Sequence, residues 1–127
     1  MFEEADLIHS YTRADALRDG VLIDVSATAR EAGIRWPVAL TCAAWGRCVA
    51  VPPGVECQDE AGRLWDVLAM LRFAVRGQRG DASEVRFAVH VRNDNLERTL
   101  PLVRLKAVCG PGDHGEPVLT VMLPDED

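Results

Sequence analysis

The chain contains no long apolar run, which excludes a membrane-spanning protein. A helical span needs about 18 consecutive apolar residues, and no stretch of the 127-residue sequence reaches that length. The first residues, MFEEADLIHSY, also lack the basic start and apolar middle of a secretory signal. We therefore expect a cytoplasmic protein with no membrane partner.

Cysteine pairs with the spacing of a metal site are missing too. The four cysteines are Cys42, Cys48, Cys57 and Cys109, and no two of them form a CxxC unit. Reducing conditions in the cytosol keep such thiols unpaired. We predict no metal, no cofactor and no disulfide, with the cysteines serving as small core or subsurface residues.

The familiar catalytic and phosphate-binding motifs are absent as well. The sequence has no GxSxG elbow, no GxxxxGK[ST] loop, no HExxH helix and no GxGxxG turn. Its three histidines, His9, His90 and His114, could each meet a serine or cysteine across the fold, but that holds for most sequences of this length and singles out no nucleophile. We therefore assign no catalytic residue.

Lysine is almost absent, since thirteen of the fourteen cationic residues are arginine and Lys106 is the exception. The net charge of -6 argues against general nucleic-acid binding, which depends on neutralising many phosphates. Residues 76–106 nevertheless hold seven cations and four acids, a balance of +3, which leaves -9 for the remaining residues. We expect an acidic protein with one basic segment.

The rest of the composition is that of an ordinary globular protein. A hydrophobic share of 48% and a charged share of 27% exclude a fibrous or disordered class. A length of 127 residues is enough for one core. We predict a single domain over residues 1–127, with residues 1–6 and 124–127 frayed.

Short elements are predicted in the N-terminal part of the chain. Thr12 can cap a short helix, and Gly20 suits the left-handed residue that ends it. VLIDV, residues 21–25, is a β-branched run typical of a buried strand. Ser26 then caps one or two helical turns over residues 28–32.

The next stretch, IRWPVALTCAAWGRCVAV, is predicted to contain a helix from about Pro37 to Val49. Proline is tolerated at the first helical position, and Cys42, Trp45 and Val49 would share one face. VPPGVECQ follows as a linker rich in turn residues.

The most regular helix is predicted over Asp59–Arg76. Acidic residues occupy its first turn and arginine its last, which matches the helix dipole. Its apolar stripe consists of Leu64, Leu68, Leu71 and Val75. Met70 and Phe73 lie well round the helix from this stripe, so we expect the helix to be covered on more than one side.

The last third of the chain predicts an antiparallel meander of three strands. SEVRFAVHVRN alternates apolar and polar residues, LVRLKAVC repeats the pattern, and VLTVML is a third β-rich run. We therefore predict an α+β fold: short N-terminal helices and a strand, then a central amphipathic helix packed on a C-terminal three-stranded antiparallel sheet.

The outward positions of this sheet form the main candidate binding site. If the first two strands are neighbours, one surface carries Arg86, His90, Arg92, Arg104 and Lys106, with Glu84 almost the only acid. A surface of one sign predicts an anionic partner: an acidic protein surface, phosphate or single-stranded nucleic acid. A merely solvated face is the favoured interpretation, since outward strand positions are usually solvated and no aromatic residue accompanies the cations to stack on bases. Asp94, Glu97 or the acidic tail could also fold over this face.

The segment KAVCGPGDHGEPVLTV gathers Cys109, Asp113, His114 and Glu116 around glycines and prolines. It lies between two β-rich runs, and its composition is that of a wide hairpin loop. A metal or catalytic loop is the alternative, and it would need a further ligand such as His9 or His90. We favour the hairpin.

Three segments, IHSYTRADALRDGVLIDVS, DEAGRLWDVLAMLRFAV and LKAVCGPGDHGEPVLTVMLP, resemble a family of short bacterial proteins of unknown function. Members are found largely on plasmids, prophages and other mobile elements. The resemblance carries no catalytic or binding residues. It implies a setting in which small proteins bind host proteins, for example to block restriction or CRISPR defences.

These observations together predict a non-catalytic interaction protein that binds a host protein or protein complex stoichiometrically, as an inhibitor of host defence would. Anion or nucleic-acid binding through the basic sheet face is the alternative. A small hydrolase or metal enzyme built on Cys109, Asp113 or His114 is the less favoured third hypothesis.

Overall fold

Helices and strands alternate along the chain. The structure is a computed structural model and describes residues 11–78, 83–96 and 99–127. Its elements are α1 (Arg13–Asp19), β1 (Leu22–Asp24), α2 (Ser26–Glu31), β2 (Val38–Thr41), α3 (Cys42–Cys48), α4 (Glu60–Gly77), β3 (Glu84–His90), β4 (Leu102–Pro111) and β5 (Pro117–Met122). Within these ranges no helix has the length and apolarity needed to span a bilayer.

The strands form one open sheet in the order β1, β2, β5, β4, β3. β2 and β5 are parallel, and the other neighbouring pairs are antiparallel. The α+β class and the antiparallel order of the last three strands are confirmed. The prediction of a three-stranded sheet is wrong, because β2 pairs with β5 and brings β1 with it, which makes a five-stranded mixed sheet.

The core lies between one face of the sheet and the helices α2, α3 and α4. α4 buries Leu64, Val67, Leu68 and Leu71, and the sheet contributes residues of every strand from β2 to β5. The predicted stripe is therefore confirmed for its three leucines, whereas Val75 is exposed. Hydrophobic burial on this single face supplies most of the driving force for folding.

The predicted cap Thr12 and the predicted helix end at Gly20 are confirmed, whereas the prediction that Ser26 caps the second helix is wrong, because Val25 holds the N-cap position and makes no side-chain cap bond. The Thr12 hydroxyl accepts a hydrogen bond from the Asp15 N–H at 3.0 Å, and the Asp15 carboxylate accepts one from the Thr12 N–H at 3.1 Å. Gly20 ends α1 with φ 79°. Asp59 caps α4 by accepting a bond from the Gly62 N–H at 3.2 Å.

The predicted helix from Pro37 to Val49 is wrong in its first part. Val38, Ala39 and Leu40 form the central strand β2 and are at most 1% exposed. A strand that is covered on both faces has a continuous apolar sequence, which is why periodicity did not distinguish it from a helix. The helix begins only at Cys42, where Thr41 caps it.

Two smaller boundaries also differ from the prediction. β1 covers only Leu22–Asp24 at the edge of the sheet, and the second helix runs from Ser26 to Glu31. Ser26 is the first helical residue, and its hydroxyl accepts a bond from the Val38 N–H at 3.0 Å and donates to Asp24 at 2.6 Å. It ties α2 to both strands.

The predicted fraying of residues 1–6 lies outside the described residues. At the other end, the Glu126 carboxylate accepts hydrogen bonds from the Thr41 hydroxyl and the Leu123 N–H, both at 2.8 Å. These bonds connect the C-terminal segment to β2.

Candidate protein-docking groove

The predicted cationic residues do not assemble into one exposed face. Arg86 lies opposite Lys106, and Arg104 lies opposite Ala88, so these side chains and His90 share the sheet face that points away from α4. Arg86, His90 and Arg104 are exposed. Arg86 forms an ion pair with Glu84 at 2.8 Å, so its charge is partly neutralised within its own strand.

The other two predicted residues are placed differently. Lys106 is only 9% exposed, and no carboxylate of the described residues lies within 4 Å of its ammonium group. Arg92 follows the end of β3 and donates to the carbonyl oxygen of Leu96 at 2.7 Å. The predicted surface thus reduces to Arg86, His90 and Arg104 on the outward side of two strands.

The loop between β4 and β5 has an evident structural role. Asp113 accepts hydrogen bonds from the N–H groups of Arg13 and Ala14, at 2.8 and 3.0 Å, and so caps α1 from a distant part of the chain. Glu116 accepts a bond from the His114 N–H at 2.9 Å. Among the described residues no three potential metal ligands converge. The hairpin interpretation accounts for all these contacts.

Replacing Asp113 with alanine is expected to lower the free energy of unfolding by about 1 kcal/mol, the usual cost of losing a helix cap. Two N–H groups at the start of α1 would lose their acceptor. Urea denaturation of the variant measures the loss. His114→Ala, which changes an exposed neighbour in the same loop, is the control and should leave stability unchanged. Equal losses in both variants would contradict the capping role.

The prediction that the cysteines are core or subsurface residues is confirmed for Cys48 and Cys109 and wrong for Cys42 and Cys57. Cys42 and Cys57 are exposed, Cys109 is partly buried, and Cys48 is buried in the core. Burial raises the pKa of the Cys48 thiol to about 11. Because the thiolate is the nucleophilic form, Cys48 is unreactive at neutral pH.

β3 is the last strand on its side of the sheet, with no strand of the described residues on its outer side. At its two ends, the Cys109 N–H donates to the Ser83 carbonyl and the Val91 N–H donates to the Pro101 carbonyl. In an antiparallel ladder hydrogen-bonded pairs alternate with non-bonded pairs, so the odd-numbered residues of β3 bond to β4. The backbone groups of the even-numbered residues point to the open side; these are Glu84, Arg86, Ala88 and His90.

An apolar groove runs between this edge and α4. Its volume is about 600 Å³. The helix side consists of residues at helical spacing, Asp66, Ala69, Met70, Phe73 and Ala74, and the strand side includes Phe87 and Val89. Phe73 is 76% exposed and Met70 is 40% exposed. These two large apolar side chains are thus exposed one helical turn apart along the same groove. We call this feature the docking groove.

The docking groove was not predicted from the sequence, although one signal pointed to it. Met70 and Phe73 lie off the core stripe of α4, and we expected another part of the chain to cover them. In the structure they flank the docking groove and stay accessible. The expectation that α4 is covered on this second side is therefore not met within the described residues.

The comparison with known proteins agrees with the resemblance seen in the sequence. A family model described as a family of unknown function, DUF6573, matches residues 1–127. The chain belongs to this family. No curated protein and no solved structure matches the chain. Membership of DUF6573 confirms an uncharacterised family and assigns no activity.

Proposed function

We propose that the protein is a non-catalytic interaction module that binds a partner protein stoichiometrically through the docking groove. The observation that supports this proposal is the combination of a strand edge that no described strand pairs with and exposed apolar side chains beside it. Addition of an extended segment to a sheet edge is a recurring mode of peptide recognition, in which backbone bonds give affinity and side-chain pockets give specificity.

The backbone of β3 determines the conformation of the proposed partner segment. Four residues with outward-pointing N–H and C=O groups require an extended segment that pairs as a sixth strand. Its alternate side chains would then enter the docking groove and contact Met70 and Phe73. These positions favour apolar side chains, because burial of the exposed aromatic surface is worth about 25 cal/mol per Å².

The remaining side chains of that segment would lie on the opposite face of the sheet. There they would meet Arg86 and His90 of the neighbouring strand, with Arg104 one strand further in. Acidic side chains are the complement of Arg104, which forms no ion pair with the described residues, and less so of Arg86, which Glu84 already pairs at 2.8 Å. We therefore propose a partner segment in which apolar and acidic residues alternate.

A mobile genetic element is the setting that we propose for this module, with a host defence complex of the CRISPR or restriction type as its partner. The support is the resemblance to small proteins of mobile elements, together with a binding surface that could occlude a partner. Anion or nucleic-acid binding through the basic sheet face has weaker support, because Arg86 is paired with Glu84 and Lys106 is buried.

Ala88→Pro is expected to abolish docking while the protein stays folded. The N–H of Ala88 points to the open edge, so proline removes a donor that the sheet itself does not use. A fluorescein-labelled eight-residue peptide of alternating valine and aspartate serves as the probe in fluorescence anisotropy. Its affinity should fall by about tenfold or more, which corresponds to about 1.4 kcal/mol. Phe73→Ser should weaken binding similarly.

Ala88→Val, which keeps the N–H group, is the matched control and should bind like the unaltered protein. A peptide alternating valine and lysine should bind about tenfold more weakly or worse. Binding of both peptides with equal affinity, or full binding by Ala88→Pro with unchanged circular dichroism, would contradict the proposal. So would a dimer in sedimentation that Ala88→Pro dissociates, because the edge would then be occupied by a second copy of the chain.

Affinity capture from a bacterial host, with the same variants, tests the setting separately. A defence-complex subunit that is enriched by the unaltered protein and lost with Ala88→Pro would support it. Enrichment of unrelated proteins alone would contradict the anti-defence role.

A further inference from the structure

A second recess lies on the other flank of α4 and is separate from the docking groove. Its volume is about 290 Å³, near the lower limit for small-molecule sites. Apolar residues line its floor, with Ile34 and Leu119 buried and Val75 at the margin. Three arginines and one tryptophan surround it: Arg35, Trp36, Arg72 and Arg76.

The three arginines of this recess are exposed and form no ion pair within 4 Å in the described parts of the chain. Arg72 and Arg76 are four residues apart on α4, a spacing at which like charges repel. The negative end of the α4 dipole stabilises Arg76 in the last turn of the helix. It does not explain why Arg72 and Arg35 line the same recess. In a protein with a net charge of -6, such a local excess of cations indicates an anionic ligand.

Trp36 adds a flat aromatic surface to the same recess. It is 45% exposed, and the following Pro37 restricts its backbone to an extended conformation. The Pro37 carbonyl accepts a hydrogen bond from the Leu119 N–H at 2.9 Å, which ties this segment to β5. The indole is therefore held at the rim by a firmly anchored backbone.

Gly33 permits the close approach of Arg72 to this segment. Its φ is 96°, and a Cβ atom at this position would stand 2.5 Å from Nε of Arg72. A side chain there would displace the guanidinium from the recess. Gly33 also belongs to the turn that ends α2, where its N–H donates to the Arg30 carbonyl at 3.0 Å and the Ile34 N–H donates to the Ala29 carbonyl at 2.8 Å, and its small size leaves room for Arg72 to line the same recess as Trp36.

From this arrangement we infer a binding site for a nucleoside phosphate. The indole face stacks on a base, which every nucleobase permits through its π surface. Guanidinium groups match phosphate oxygens with paired N–H donors, and three of them together neutralise a di- or triphosphate. No chemical step is implied, and the site does not depend on the docking groove.

The same chemistry has two sources, a free nucleotide and a nucleotide within a single strand. The recess is small and the protein carries a net charge of -6, which favours the free nucleotide, since long nucleic acids need many phosphate contacts. Calorimetric titration separates the sources with four probes: ADP, adenosine, pyrophosphate and a ten-nucleotide strand of thymidine. ADP should bind about tenfold more tightly than adenosine or pyrophosphate, because only ADP engages both the indole and the arginines.

The double variant Arg72→Gln/Arg76→Gln and the variant Trp36→Ala should each weaken ADP binding by about tenfold or more, and Trp36→Phe should restore most of it. Two matched controls should bind ADP normally. Trp65→Ala removes a half-exposed indole on α4, outside the recess, and Arg86→Gln removes an exposed arginine of β3. No ADP binding at about 1 mM, or equal binding by all variants, would overturn the inference. Tighter binding of the thymidine strand, with the same dependence on Trp36 and Arg72, would assign the site to single-stranded nucleic acid.

Discussion

Replacing Leu68 with alanine is expected to lower the free energy of unfolding by about 2 to 5 kcal/mol. Leu68 is fully buried on the face of α4 that contacts the sheet, in one cluster with Leu105 and Val121. Its truncation removes apolar contacts and leaves a cavity that the surrounding close-packed side chains fill only partly. Urea denaturation followed by circular dichroism measures the loss.

Val75→Ala on the same helix is the control for this prediction. The sequence places Val75 on the same apolar stripe as Leu68, but the structure leaves it 37% exposed at the margin of the arginine-lined recess. Its replacement should cost less than about 1 kcal/mol. Equal destabilisation by both variants would contradict the position of α4 on the sheet.

The two variants illustrate what the sequence could predict for α4. Periodicity and capping residues identified the helix and its three buried leucines, because both signals are local. Whether a side chain of the stripe is buried depends on whether the sheet extends beneath that turn of the helix. The extent of the sheet is a property of the whole fold. The sequence therefore predicted the helix correctly and overestimated the length of its buried stripe.

β2 shows a second limit of sequence-based prediction. Val38, Ala39 and Leu40 gave no alternation because β2 is covered on both faces. The partner that makes them a strand is β5, which pairs with Leu40 through Val121, some eighty residues later in the chain. Local propensity favoured a helix, and long-range pairing determined the outcome.

The candidate site was the least predictable part. The alternation of β3 and β4 correctly placed Arg86, Arg104 and Lys106 on one face. We assumed that this face is solvated throughout, yet Lys106 is buried there, as are its neighbour Met122 and the more central Ala39. The docking groove was not predicted because it lies between the edge strand of the sheet and one flank of α4. The order of the strands along the sequence does not show which of them is at the edge.

Arg63 is a buried cation whose role depends on contacts far apart in the sequence. It is only 5% exposed and donates to the carbonyl oxygen of Cys48 at 3.1 Å, that of Arg92 at 2.5 Å and the side-chain oxygen of Asn93 at 2.8 Å. Desolvation lowers the pKa of its guanidinium. The described residues place no carboxylate within 4 Å of it. Carbonyl dipoles therefore compensate this charge.

These bonds connect α4 to the segment that follows β3. Asn95 reinforces the connection, since its amide donates to the Gly54 carbonyl at 2.7 Å and its oxygen accepts from the Glu56 N–H at 2.8 Å. The end of the edge strand, and with it one end of the docking groove, is thus held to the linker before α4. A change at Arg63 should affect both the stability of the fold and the order of this segment.

Arg63→Met is expected to lower the free energy of unfolding by about 3 kcal/mol. Methionine fills much of the volume but leaves the carbonyls of Cys48 and Arg92 without a donor, and each unsatisfied buried group costs about 1 to 3 kcal/mol. Hydrogen exchange should accelerate most at the amides of residues 91–96, because their link to α4 is lost. Urea denaturation and exchange mass spectrometry measure the two effects.

Two further variants make this prediction specific. Arg63→Lys keeps the charge but presents a compact ammonium in place of the planar fork, so it should recover only part of the lost stability. Arg30→Met removes an exposed arginine of α2 and should change stability by less than about 0.5 kcal/mol. If Arg63→Met were as stable as Arg30→Met, the carbonyl bonds would be dispensable. The edge strand would then be held in place by the β3–β4 ladder and the apolar contacts of Val89 and Val91 alone.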